Sequence, residues 1–285
     1  MELVTVEGPN TNQNVRTPSI WGRCPFDQIL NGQVGGVALY EDFSTWNKTP
    51  GTTEGNWTGT TGWAQFTSGT ATLTAIAPTA TTKAGIPSRG ITIGTADDNG
   101  IHAYRAMSNG FMLNRANQKL YFEICLKKSS VANTILEFAA GFIETVAFDA
   151  THPFTTTAAT MSDNNMVILH STESNGDAGN TEYTANGVTA VVVGTDELTF
   201  VADTFTKIGM KFEPRGDKFG AYTLSFYQDG TRLSSAKIIP DSNGTDFPTD
   251  VAMQPFFGIR NAAGSSPGTV SVKWLAAAQL YAPLS

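Results

Sequence analysis

Charged side chains are what this sequence has least of. They make up 15% of its 285 residues, well below the roughly 25% of an ordinary soluble domain. Thr, Ser, Asn, Gly and Ala fill the gap, a mixture that suits an exposed β surface built from neutral polar groups. The net charge is −7, so neutralising phosphates, and with it nucleic-acid binding, is excluded as the main task; the acidity serves solubility. Cysteine is nearly absent: Cys24 and Cys125 make no disulfide framework and read as free thiols. The three histidines, His102, His152 and His170, stand far apart without HxH or HExxH spacing, so they read as lone structural or surface residues rather than zinc ligands. No apolar run approaches the ~18 residues of a membrane-spanning helix. The opening "MELVTVEGPNTNQNVRTP" has neither the basic nor the apolar region of a secretory signal. A G-x-S-x-G nucleophile turn and a phosphate-binding glycine loop are also missing. No cofactor is expected and no metal: Asx-rich stretches such as "DSNGTD" (Asp241, Asn243, Asp246) and "TADDNG" (Asp97, Asp98, Asn99) lack the full calcium-loop pattern and read as turns.

What is present is alternation. "KLYFEICLKK" puts Leu120, Phe122, Ile124 and Leu126 on one face, with Tyr121, Glu123, Cys125 and Lys127 on the other. "DTFTKIGMKFEP" turns Ile208, Met210 and Phe212 inward, and "TVSVKWLAAAQLYA" alternates Val270, Val272 and Trp274 against Ser271 and Lys273. "TILEFAAGFIE", "NMVILHS", "TAVVVG", "LTFV" and "QPFFGIRNA" are further strands. "LSFYQDGTRL" is a hairpin, because Asp229-Gly230 suits a type I′ turn with φ > 0 at both central residues. About a dozen strands, separated by Gly, Asn, Asp and Pro clusters and with little helix, predict an all-β fold of two antiparallel sheets packed as a sandwich.

Residues 1–36 differ. They are polar and turn-rich, with Pro9, Pro18 and Pro25 and no sustained alternation. They read as an N-terminal arm before a sandwich domain at 37–285. Within the arm, "CPFDQILNG" predicts a short helix: Pro25 suits the first helical position, Gly32 the residue past the end, and Phe26, Ile29 and Leu30 share one face. So short a helix cannot stand alone. Ile20, Trp21, Phe26, Ile29 and Leu30 are its candidate anchors, to be buried on this domain or on a neighbouring subunit.

"YEDF" followed by a Trp/Gly-rich segment, "LYFEICLKK" leading into "EFAAGFIE", "FTKIGMKFEP…GAYTLSFYQDGTRL" and "MQPFFGIRNA…SVKWLAAAQL" resemble the concanavalin A-like lectin and glucanase superfamily over residues 37–285. The resemblance implies a jelly-roll of two large curved antiparallel sheets. Domains of this look also occur among the outer capsid proteins of tailed bacteriophages. There an arm plus a jelly-roll makes a trimeric cement or decoration protein. The resemblance therefore implies a non-enzymatic virion protein on the capsid surface, made in the host cytoplasm. Its partners are the major capsid protein and further copies of itself in a homotrimer, with neither nucleic acid nor membrane as partner.

The glycosidases of the superfamily resemble one another in a strand carrying Glu-x-Asp-x-x-Glu, which sets a nucleophile and an acid about 5 Å apart. That motif is missing. Glu123 stands alone, and Glu137 and Glu144 are seven apart, on opposite faces of one strand; all three read as ordinary solvated or paired carboxylates. The alternative to a structural role is a carbohydrate-binding module on a virion or cell surface. Trp57 and Trp63 would then be the glycan-stacking platforms, with Trp46 and Tyr183 as further aromatics in polar stretches; the competing reading has the tryptophans packed on the sandwich edge.

Overall fold

The computed structural model describes residues 20–21, 24–43, 62–67, 70, 72–74, 90–96, 100–106, 110–113, 118–133, 135–144, 154, 161, 164–171, 176–215, 221–239, 246–262 and 268–281, together with the backbone alone at 57–58, 68, 71 and 75. A helix, α1 (Phe26–Leu30), comes first, followed by β1 (Gly36–Glu41), β2 (Trp57–Thr58), β3 (Trp63–Ser68), β4 (Ala71–Ala75), β5 (Ile91–Thr95), β6 (Ile101–Ala106), β7 (Phe111–Met112), β8 (Lys119–Lys128) and β9 (Leu136–Glu144). The chain continues with β10 (Met166–Ser171), β11 (Ala178–Thr184), β12 (Val191–Thr199), β13 (Thr206–Pro214), β14 (Tyr222–Gln228), β15 (Thr231–Ile239), β16 (Ala252–Asn261) and β17 (Thr269–Leu280).

These strands form two antiparallel sheets. Sheet I runs β15-β14-β13-β8-β17-β5-β4, with β1 also on β17, and sheet II runs β12-β11-β10-β9-β16-β6-β3-β2, with β7 also on β16. The expected sandwich is present. The alternation of β8 is observed in full: Leu120, Phe122, Ile124 and Leu126 face the space between the sheets, where they meet Phe138, Phe142, Val167, Leu169, Met210, Phe226 and Phe257. Asp229 and Gly230 take φ 48° and 79°, the positive pair a type I′ turn requires, and Asp229 Oδ1 accepts from Lys207 N at 2.9 Å.

Three local expectations need correction. The strand β17 does not keep one alternation. A bulge between Val272 and Trp274 reverses the facing, so Val270 and Val272 point into the core while Trp274 points out. An extra residue in one strand has this effect because the side-chain period is two. "TAVVVG" and "LTFV" are one irregular strand, β12, with register shifts against β11. Pro25 stands one residue earlier than expected, at the N-cap of α1.

Polar side chains staple the two sheets together at their margins. Glu41 of β1 accepts from Trp63 Nε1 of β3 at 3.2 Å. His102 of β6 lies 3.1 Å from the Gly94 carbonyl of β5 through Nδ1 and 2.9 Å from Tyr104 Oη through Nε2. Lys128 of β8 donates to Ser171 Oγ of β10 at 2.9 Å and to the Gly176 carbonyl at 2.7 Å. Glu197 of β12 accepts from the hydroxyls of Ser234 and Ser235 on β15, both at 2.5 Å. Burial pushes the His102 imidazole down to about 4, against carbonyl contacts that favour its proton, and burial likewise pulls the Lys128 amine down to about 8.

Candidate functional site: the two outer faces of the sandwich

The outward-pointing residues of sheet II include an interrupted charged row. Arg260 on β16 stands directly opposite Glu137 on β9, with Arg260 Nε 2.7 Å from Glu137 Oε2. His170 on β10 is level with Ala139 of β9 and with Asn180 of β11; its Nε2 lies 3.1 Å from Glu182 Oε2. Arg105 on β6 adds a bond from Nη1 to Gln254 Oε1 at 2.7 Å. All six side chains are buried. Phe154 and Met161, joined by an isolated bridge, pack on the same face against Ala139, Ile143, Ile168 and Phe256. Register alone explains the row, since cross-strand and diagonal neighbours on one sheet face lie within side-chain reach. Among the described residues no three His, Cys, Asp or Glu side chains come together as a metal set.

The outer face of sheet I carries the clamp, formed by Ile20, Trp21, Cys24, Phe26 and Ile29. It packs on Tyr121, Cys125, Tyr227, Trp274, Ala276 and Ala278. Small residues make the recess: a side chain on Gly209 would run into Ile20 Cδ1 and the Phe122 carbonyl, and one on Gly36 would meet Ile29 Cγ2 at 3.3 Å. Trp21 is 1% exposed. It stacks on Tyr121 at 5.9 Å and meets Phe26 edge-on at 5.2 Å. Its indole N–H donates to Glu123 Oε2 at 2.6 Å. Burial pushes the Glu123 carboxyl up to about 7, against the Trp21 hydrogen bond and the nearby Lys207 charge, which favour ionisation. Burial also pushes the Cys24 thiol up to about 12.

The residues singled out from sequence are distributed as follows. Ile20, Trp21, Phe26 and Ile29 bury against the chain's own sheet. The small-residue recess matched to them is the physical reason, and it is invisible in the linear chain. Leu30 alone of the five is open, at 53% exposure. Trp63 is 1% exposed and packs on Phe43 and Phe257 at 6.1 and 5.7 Å. It is a core residue of β3 and offers no face to a sugar. Tyr183 is likewise no loop aromatic; it sits in β11, buried against Phe247 at 5.0 Å. The side chain of Trp57, together with Trp46, His152, Asp97, Asp98, Asn99, Asp241 and Asn243, lies outside the described residues.

Cys24 and Cys125 are free and buried. Glu137 and Glu144 are paired as read, Glu144 through Asn165 Nδ2 at 2.6 Å. Glu123 is paired too, but buried rather than solvated. His170 is not a lone histidine: its partner Glu182 lies twelve positions on, across a strand pair the sequence does not announce.

No family model matches the chain, and no curated protein does. Among solved structures, a protein of unknown function from Shewanella oneidensis MR-1 is 13% identical over 88% of this chain and 90% of that one, with a TM-score of 0.48. The carbohydrate recognition domain of Emp47p is 10% identical over 84% and 93%, with a TM-score of 0.49. An endo-1,3-beta-glucanase from Streptomyces sioyaensis is 9% identical over 79% and 99%, with a TM-score of 0.47. At these values the likeness carries no argument, and function has to be reasoned from the two faces themselves.

Proposed function

We propose that this chain is a non-enzymatic structural protein, of the kind that decorates and stabilises a phage capsid, with the major capsid protein and further copies of itself as partners. The observation that carries the reading is the closure of both outer faces by the chain's own residues. A lectin needs an open face with a stacking aromatic beside polar groups, and a glycosidase needs two free carboxylates across such a face. Here the clamp covers sheet I, Phe154 and Met161 pack on sheet II, and Glu137 and Glu182 are committed to Arg260 and His170. The marginal staples support the same reading, because they give a domain that holds its shape rather than one that opens around a substrate. Low charge and neutral polar surface suit repeated, broad subunit contacts, in which symmetry multiplies weak interactions.

The test is twofold. Native mass measurement of the purified chain should give a trimer, and the chain should sediment with shells of the major capsid protein. A monomer that stays in the supernatant, and that hydrolyses a polysaccharide or is retained on a glycan array, overturns the proposal.

A further inference from the structure

The indole of Trp21 brings a polar contact into a seat made mostly of apolar side chains. Among the described residues the indole of Trp21 is the only hydrogen-bond donor to Glu123. Around it the described seat packs Tyr121, Cys125, Tyr227, Trp274, Ala276 and Ala278 against the clamp. An indole N–H only donates, so its bond favours the ionised carboxyl, and it is burial that holds the proton on against it. A single donor does not replace the water an ionised, buried carboxylate gives up.

We propose that the Trp21–Glu123 contact is a releasable latch, which seats the clamp on sheet I while the Glu123 carboxyl carries a proton and loosens it once that proton is lost. Among the described residues, two charged groups act on Glu123. Lys207 on β13 favours the ionised form and Asp229 at the β14–β15 turn opposes it. On β17 the residue opposite is Ala276. From the clamp side Asp27, and from β13 Lys211, act on Cys24.

With the clamp seated the carboxyl titrates near 7, whereas a carboxyl open to water titrates near 4.5. The seated state therefore binds the proton more tightly. Seating is at full strength below about pH 4.5, weakens as pH rises through about 7, and is level above that. The expected loosening is on the order of tenfold to a hundredfold in the seating equilibrium. Opening uncovers an apolar recess floored by Ala276 and Ala278 and walled by Tyr121, Tyr227 and Trp274. A latch that works at neutral pH would thus control when this chain presents a sticky surface.

The two free thiols report on the latch, since Cys125 lies in the seat and Cys24 in the clamp. The experiment compares alkylation rates of Cys125 in the wild-type chain and in Glu123→Gln from about pH 5 to pH 8. Taking the ratio at each pH cancels the chemistry of the thiolate itself. Gln keeps an acceptor for the indole and has no proton to lose. The wild-type to variant ratio should be near one at about pH 5 and rise to on the order of ten or more by about pH 8. A ratio that stays constant across the range overturns the latch. If Glu123→Gln does not fold, amide exchange of the wild-type chain, corrected for intrinsic pH dependence, decides: peptides from α1 must lose protection between about pH 5 and pH 8 while β9 does not. Equal behaviour of the two overturns it.

Discussion

The two outer faces of the sandwich are closed by different means, and the difference separates what is locked from what is only held down. On sheet II the charged groups sit on strands and pair across the ladder: Glu137 with Arg260, His170 with Glu182. To break the Glu137–Arg260 pair is to remove a buried ion pair inside a sheet that cannot move aside. On sheet I the closing element is a segment before β1 that touches the sheet through apolar side chains and the Trp21–Glu123 hydrogen bond. It can lift without any strand losing its ladder. Burial is similar on both faces, but cooperativity with the rest of the fold is not.

That comparison breaks most readily at Arg260. Arg260→Leu removes the ion pair of the buried Glu137 and should cost about 3–5 kcal/mol of global stability, measured as a lowered urea midpoint with a single transition. A loss below about 1 kcal/mol would show that sheet II is no more locked than sheet I. Trp21→Ala removes a fully buried indole and should cost about 3 kcal/mol. Because the clamp is peripheral, the loss should appear as lost amide protection in α1, with the protection of β9 retained. If β9 and α1 lose protection together, the clamp is part of the cooperative core and the contrast fails.

The pH dependence sharpens the same contrast. Glu123 is raised to about 7 in the seated state and His102 is lowered to about 4 in the core. Stability from the Glu123 side is lost as pH rises from about 4.5 through 7. Stability from the His102 side is lost as pH falls from about 6.5 through 4. The two trends oppose each other over this window, so wild-type stability should be nearly level there, and Glu123→Gln should instead grow more stable from about pH 4 to 6.5. Chemical unfolding at four pH values checks this; a variant that stays as level as the wild type removes Glu123 from the account.

Smaller effects are expected at the margins. Glu197→Ala breaks the staple to Ser234 and Ser235 and should cost about 1–2 kcal/mol. It also frees the edge of β15, so concentration-dependent self-association should rise in a sedimentation measurement. Asp203→Ala removes an exposed partner of Lys127, 3.3 Å away, and should change stability by no more than about 0.5 kcal/mol.

Much of the fold was legible because strands write themselves locally. Leu120, Phe122, Ile124 and Leu126 face one side because a strand has a period of two, and Asp229-Gly230 turns because that pair tolerates positive φ. The bulge at Lys273 was not legible, since nothing in "VSVKW" marks where the register slips. The candidate site was legible only in part. Trp21, Phe26 and Ile29 were identifiable as anchors from helical spacing and isolation, but the recess that receives them is assembled from Gly209, Ala276 and Ala278 on two distant strands. For Trp63 both a stacking and a packed reading stood open, because a tryptophan in a polar stretch looks exposed until β3 is placed beside β6.

By itself, the sequence determined the element types, the inward faces of the strands, the freedom of both cysteines and the presence of a segment with apolar anchors to bury. These follow from the geometry of one residue and its near neighbours. Tertiary structure alone decided that the anchors turn back onto their own sheet, that Glu123 lies beneath an indole, and that Glu137 meets Arg260 and His170 meets Glu182. Those are contacts between strands far apart in the chain, and their physics, desolvation above all, exists only once the sheets have closed.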